Sequence, residues 1–195
     1  MRQLIFASKN SGKIREIREI FSSDNFSVGS LLDMPDIPEI IEDGKDFEQN
    51  AKIKAAKVFD AFHLPVIADD SGIVVDQLEG RPGIYSARFA GDYATDDDNN
   101  KRLLEELSSF PEPHTARYIC CSVYYDALNY FCEYGEIEGT IVNIPRGYNG
   151  FGYDPYFIPN GYNRTMAELN PGEKNRISHR GKAFNKLREV LRQII

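Results

Sequence analysis

Two adjacent carboxylates, a hydroxyl and a glycine, Asp69-Asp70-Ser71-Gly72, stop the apolar stretch Pro65-Val66-Ile67-Ala68. Such a run reads as a buried strand that delivers acids to the edge of a sheet, followed by a turn and a second strand at Ile73 to Asp76. Carboxylates there suit a hard cation such as Mg2+ or a base that takes a proton from water. An Asx-type turn that merely caps a strand has the same composition, so the motif gains meaning only from its companions.

Four other clusters carry polar chemistry. Ser8-Lys9-Asn10-Ser11-Gly12-Lys13 lies between the first strand and the first helix, where backbone N–H groups and the helix dipole favour an anion. It is not a Walker P-loop, because Ala7 stands where that motif needs glycine and Ile14 where it needs Ser or Thr. On the second helix Asn50, Lys54 and Lys57 fall along one edge, beside the apolar face. Lys54 either snorkels to solvent or projects into a cleft to hold a phosphate or water. Upstream, Glu42-Asp43-Gly44 offers loop carboxylates that could complete a metal site. The segment Leu78 to Gly91, rich in glycine and proline, carries Arg81, Tyr85 and Arg88. In Gly147-Tyr148-Asn149-Gly150-Phe151-Gly152-Tyr153-Asp154-Pro155 the glycines let backbone approach a flat ligand, and Phe151 or Tyr153 can stack on a base. Finally, Glu173-Lys174-Asn175-Arg176-Ile177-Ser178-His179-Arg180 places donors at a loop and a helix start.

The elements that must position these residues alternate. Leu4 to Ala7 reads as a strand and a helix starts near Ser11, with Ile14, Ile17, Ile20 and Phe21 on one face. Phe26 to Gly29 is a short strand and Pro35 to Gly44 an extended loop. A second helix spans about Asp46 to Phe62. Thr95 caps a helix that buries Leu103, Leu104 and Leu107. Arg117 to Tyr125 and Tyr130 to Ile144 alternate as long strands joined through 126–129, and a last helix starts near Ser178. The pattern is α/β, with one extended mixed sheet in a single domain of 195 residues.

Composition narrows the class. A net charge of −7 argues against a general nucleic-acid binder, although Arg164 to Ile195 holds eight Lys or Arg against three Glu. That local excess suits a small polyanion or a solvated helix face. No apolar run approaches the roughly 20 residues of a membrane span. Leu4 to Ala7 is also too short for a signal segment. Three cysteines without metal spacing fit small hydrophobes in a reducing cytoplasm.

Taken in order, Ser8-x-Asn10-x-x-Lys13, Phe47-x-x-Asn50-Ala51-x-x-Lys54-Ala55, Asp69-Asp70-Ser71-Gly72, Pro82-Gly83-Ile84-Tyr85-Ser86-Ala87-Arg88, Gly150-Phe151-Gly152-Tyr153-Asp154-Pro155, Ala167-Glu168-Leu169, Glu173-Lys174 and Ile177-Ser178-His179-Arg180 resemble the inosine triphosphate pyrophosphatase family. These are the non-canonical purine NTP pyrophosphatases, and the likeness covers essentially the whole chain. It implies an elongated mixed β-sheet with helices forming two lobes around a central nucleotide cleft, and a homodimer. It also implies Mg2+-dependent cleavage of dITP, ITP or XTP between the α- and β-phosphates, which keeps deaminated purines out of DNA and RNA. Carried over by position, Asp70 activates water as base or metal-linked acid. Glu42, or its neighbour Asp43, helps bind Mg2+, Lys54 contacts phosphate or water, and Ser71 contacts the nucleotide. Ser8, Lys9, Asn10, Ser11, Gly12 and Lys13 grip phosphates. Phe151, Gly152, Tyr153, Asp154, Lys174, His179 and Arg180 surround the base.

The implied chemistry suits the residue types. An acidic protein that binds a triphosphate needs local Lys or Arg and a cation. Hypoxanthine and xanthine present a keto oxygen where adenine presents an amino group, so donors such as His179 and Arg180 would leave adenine unpaired. The dimer expectation draws on Tyr118, Tyr124, Tyr125, Tyr130 and Phe131, read as exposed aromatics on the long strands. Two other classes share part of the pattern. One is a Maf-like pyrophosphatase with another base preference. The other is a nucleotide sensor without turnover, which would have no need of Asp70, Lys54 and Glu42 together.

Overall fold

Strand and helix alternate as the hydrophobic spacing dictates. The computed structural model describes residues 2–194. In chain order it contains β1 (Arg2–Phe6), α1 (Ser11–Ile20), β2 (Phe26–Ser30), α2 (Phe47–Phe62), β3 (Val66–Val75) and α3 (Asp96–Leu107). Next come β4 (His114–Tyr125), β5 (Tyr130–Ile141), β6 (Phe157–Pro159), α4 (Pro171–Ile177) and α5 (His179–Ile194). The strands form a six-stranded sheet in the order β2-β1-β3-β4-β5-β6. β1 runs parallel to β2 and β3, and β5 is antiparallel to β6, which makes the sheet mixed.

The chain divides into two compact units. The first holds Met1–Asp70, Cys120–Gly135 and Arg180–Ile195; the second holds Ser71–Ile119 and Glu136–His179. In the first, side chains alternate along each strand, so the sheet has two apolar faces. Leu4, Phe6, Ile67, Cys120 and Tyr124 pack with Ile14, Ile17 and Ile20 of α1 and with Ala183, Phe184, Leu187 and Leu191 of α5. Ile5, Ala7, Val66, Ala68, Cys121 and Val123 pack with Ala51, Ala55 and Val58 of α2. Cys120 and Cys121 thus take opposite faces, and all three cysteines are free thiols. The second unit buries Ile73, Val75, Leu103, Leu107, Tyr118, Phe157, Met166 and Leu169 together.

Helix starts follow their caps. Asn10 and Asp46 accept from the N–H of Lys13 and Gln49, and Thr95 forms a capping box with Asp98. The short helix α4, too brief for hydrophobic periodicity to announce, carries the same signal: Asn170 and Glu173 cap each other around Pro171.

Three expectations change. The acidic motif is not a turn between two strands, because Val66–Val75 is one continuous strand. Gly72 serves close approach instead of chain reversal: a Cβ there would stand 2.1 Å from the Gly83 carbonyl oxygen and 2.4 Å from Ser86 Oγ. Ser86 Oγ accepts from Ile73 N–H at 2.9 Å, which lashes the 83–88 segment across the strand. The aromatic face also differs, since Tyr118 and Tyr124 are buried core residues. Tyr118 lies against Phe157 and His179, and the Tyr124 hydroxyl donates to Asp126. Finally, β4 starts three residues before Arg117 and β5 ends at Ile141, ahead of Ile144.

Candidate active site

In the first unit, β3 aims its even-numbered side chains at α2. Asn50 and Lys54 stand one turn apart on that helix, both buried, and both reach Asp70. Asn50 Nδ2 donates to Asp70 Oδ2 at 3.0 Å, and Lys54 Nζ lies 3.6 Å from Asp70 Oδ1. The same ammonium donates to Glu42 Oε2 at 2.8 Å, so one lysine bridges two carboxylates. The loop that carries Glu42 is pinned by Asn50, whose Oδ1 accepts from the Gly44 N–H at 2.8 Å. Gly44 has to be glycine, because a Cβ would approach that oxygen to 2.6 Å. Asp43 and Lys57 are exposed. Burial pushes the Asp70 carboxyl up, and Lys54, Lys13 and Asn50 only partly offset it. Lys54 goes the other way: burial disfavours its charge, yet Asp70, Glu42 and Asp69 outweigh that, and its pKa ends raised.

Asp69, on the opposite face of β3, joins a different cluster. Its Oδ2 accepts from Lys13 Nζ at 2.9 Å and Arg180 Nε at 3.1 Å. Arg180 Nη1 donates to Glu16 Oε2 at 2.7 Å, so two acids meet two cations, all buried but the half-buried Lys13. Burial alone would raise Asp69, but Lys13, Arg180 and Lys54 hold its carboxyl well below the usual range. Burial likewise opposes the charge on Arg180, which Asp69 and Glu16 overcome. Around Lys13, Ser8 Oγ accepts from Asn10 N–H at 3.1 Å, and Ser11 and Gly12 open α1. Lys9 pairs with Asp36 at the surface.

The second unit builds an aromatic and cationic cluster. Asp154 Oδ2 accepts from the Phe151 N–H at 2.9 Å and from Lys174 Nζ at 2.6 Å. The Lys174 ammonium sits 4.7 Å from the centre of the Phe151 ring, within cation–π range. Gly150 turns at φ +79°, where a Cβ would reach within 2.1 Å of Asp154 Oδ2. The Tyr153 hydroxyl donates to the Ser86 carbonyl at 2.8 Å. The His179 ring stacks on Tyr118, with centroids 4.6 Å apart and planes at 7°. Ser71, half-buried, opens this unit on β3.

The structure therefore gathers Asp70, Lys54 and Glu42 at one point, Lys13 and Arg180 at Asp69, and Phe151, Asp154 and Lys174 at another. Arg180, expected among the base-binding residues, is engaged by Asp69 and Glu16. The sequence gives Asn50 a place on the Lys54 edge but no role, puts Tyr118 on the surface and does not single out Glu16. Asn50 was signalled by its four-residue spacing from Lys54. Glu16 is two positions from Ile14 on α1 and reads there as an ordinary solvated acid.

Among the described residues no three His, Cys, Asp or Glu side chains form a ready cation cage. Asp70 and Glu42 nonetheless offer a donor set made only of carboxylate oxygens. That is how Mg2+ is commonly held by protein, by one or two carboxylates with phosphate oxygens filling the remaining positions. The residues fit the ion.

Comparison with known proteins gives a consistent picture. A family model described as the Ham1 family matches residues 4–190. The dITP/XTP pyrophosphatase of Oceanobacillus iheyensis is 45% identical over 100% of both chains. That of Geobacter sulfurreducens is 46% identical over 98% of this chain and 97% of its own. Among solved structures, a HAM1 protein from Coxiella burnetii superposes with a TM-score of 0.87 at 37% identity, covering 99% of this chain and 100% of that one. The Staphylococcus aureus Ham1 protein gives 0.87 at 36% identity over 100% of both.

Proposed function

This chain belongs to the Ham1 family, and we propose that it hydrolyses non-canonical purine nucleoside triphosphates such as dITP and XTP to the monophosphate and pyrophosphate. The observation that carries the reading is Lys54 Nζ set between Glu42 at 2.8 Å and Asp70 at 3.6 Å, with Asn50 fixing both the acid and the loop. A sensor without turnover has no use for a buried lysine that draws two carboxylates together.

Asp70 and Glu42 would hold Mg2+. When bound, the ion stabilises charge on the leaving pyrophosphate and acidifies the attacking water. Asp70 takes the proton of that water. Lys54 contacts phosphate or water, and Ser71 the nucleotide. The N-terminus of α1, with Ser8, Lys9, Asn10, Ser11, Gly12 and Lys13, supplies donors to the phosphates. Asp69 has two cations, so Lys13 can turn to a phosphate while Arg180 keeps the buried acid neutralised. Phe151 stacks on the base, Gly152, Tyr153, Asp154 and Lys174 shape its surroundings, and His179 reads the keto edge.

The whole chain acts as one catalytic domain, in the cytoplasm and as a homodimer. The free thiols support the first location, and half-buried Tyr125, Tyr130 and Phe131 on β4 and β5 support pairing there. Pyrophosphate release across ITP, dITP, XTP, GTP and ATP, with Mg2+ and with EDTA, tests the reading. Preference for ATP, or full activity in EDTA, would overturn it. Light scattering at the mass of one chain would remove the dimer.

A further inference from the structure

Gly152 is gripped at both of its backbone polar groups by one helix. Its N–H donates to Asp96 Oδ2 at 2.7 Å, and its carbonyl accepts from Asn100 Nδ2 at 3.0 Å. Asp96 and Asn100 are four residues apart in the first turns of α3, on one side of the helix. The neighbouring Asn99 holds the other glycine-rich segment of the same unit. Its Oδ1 accepts from the Ala90 N–H at 2.8 Å and its Nδ2 donates to the Ala87 carbonyl at 3.2 Å. The Tyr153 hydroxyl, bonded to Ser86, closes the ring of contacts from the first segment to the second.

Two features mark this as more than helix packing. Asn99 and Asn100 are buried on the face where Leu103 and Leu107 enter the core, a position at which apolar residues satisfy the helix equally well. Asn100 also carries a cost: its Oδ1 is buried and, among the described residues, finds no hydrogen-bond partner. Among the described residues, the bond to Gly152 is what the Asn100 amide offers there that an apolar side chain could not. That bond, with its Asp96 counterpart, fixes a glycine at φ +62°, directly after Phe151.

We infer that Asp96 and Asn100 are the positioning residues for Phe151. By clamping the peptide group that follows the ring, they hold it where a purine stacks. The inference rests on the reading of Phe151 as the base-stacking residue. A ring fixed in advance spares the ordering cost of stacking, so the clamp acts on affinity for the nucleotide and leaves the chemistry at Asp70 untouched.

The test uses kcat and KM for ITP and GTP in the full-length protein. Asn100→Asp, isosteric but without the donor, is expected to raise KM about tenfold for both nucleotides, with kcat within about twofold. Asp96→Ala, at an exposed position, does the same by a smaller factor and keeps the test open should Asn100→Asp fail to fold. Asp96→Asn retains an acceptor for Gly152 and stays near wild type. In a Phe151→Ala background neither Asn100→Asp nor Asp96→Ala raises KM further. The inference is overturned if both variants leave KM unchanged while Phe151→Ala raises it, or if their effects persist at full size without the ring. A Phe151→Ala enzyme with unaltered KM instead overturns base stacking, and the inference with it.

Discussion

Asp69 and Asp70 are neighbours in sequence but work on opposite faces of β3. Asp69 closes an ion cluster with Lys13, Arg180 and Glu16, while Asp70 faces Asn50 and Lys54. Alternation along a strand forces this, and it divides labour between acids that composition alone cannot tell apart. One is neutralised by two cations and held ionised. The other has burial raising its pKa, and the lysine it faces, Lys54, is shared with Glu42.

Opposite outcomes follow for the two amides. Asp70→Asn is expected to lower pyrophosphate release by at least about a thousandfold while the melting temperature moves by only a few degrees. Asp69→Asn leaves Arg180 with Glu16 as its remaining acid in this cluster, and breaking one side of a buried ion network costs about 3–5 kcal/mol. Its thermal midpoint should fall sharply, with kcat reduced far less among molecules that remain folded. Equal loss of stability in both variants would remove the distinction.

The pH dependence carries the same asymmetry. Asp69 has a depressed folded pKa, so its contribution to stability is present above its unfolded value near about 3.9 and is lost as pH falls through the folded value. Asp70 has a raised folded pKa, so its contribution is full below the unfolded value and fades as pH rises through the folded one. Activity runs against the Asp70 stability effect, because only the carboxylate accepts a proton. Urea midpoints from pH 3 to 7 should show the gap between wild type and Asp69→Asn narrowing below about pH 4. kcat/KM should rise with pH over the range in which Asp70 ionises. A gap that widens toward acid would contradict the assignment of Asp69.

Gly72 gives a purely structural check. Its missing side chain lets the Gly83 carbonyl and Ser86 Oγ lie on β3, where a Cβ would stand 2.1 Å from backbone oxygen. Gly72→Ala must therefore push the 83–88 segment off the strand and break the Ser86 bond to Ile73. Forced overpacking of this kind costs about 1–3 kcal/mol, to which the lost hydrogen bond adds. A chemical-denaturation midpoint unchanged by the substitution would show that the segment is not held as described.

Much of this was legible in the residue pattern, and the failures share a cause. Periodicity and caps placed α1, α2, α3 and the two long strands within a few residues, because those signals are local. The motif around Asp69 announces its chemistry but also looks like a turn, because a glycine that breaks a strand and one that admits a crossing segment look identical until Gly83 is seen above it. Its neighbour His179 makes Arg180 look like a base-facing donor. Its partners, Glu16 and Asp69, lie 164 and 111 residues away, and no local rule announces such a pairing. Strand alternation puts Tyr118 and Tyr124 on the surface, because it gives a face but not what covers it.

Specificity separates His179 from Arg180. Because Arg180 is bound to Asp69 and Glu16, Arg180→Ala should lower stability and reduce kcat/KM for ITP and ATP by similar factors, leaving their ratio near that of the wild type. His179 is held flat against Tyr118, which fixes its ring plane and leaves in-plane nitrogens as its means of reading a base edge. His179→Ala should narrow the preference for ITP over ATP by roughly tenfold, mainly through loss of ITP turnover, as expected when a donor to a keto oxygen is removed. Phe151→Ala should weaken both nucleotides alike, since stacking barely distinguishes purines. The measurement is kcat/KM for ITP and ATP in the three variants at a temperature where each is folded. An Arg180→Ala enzyme that loses its ITP preference while His179→Ala keeps it would exchange the two roles and assign base reading to the guanidinium.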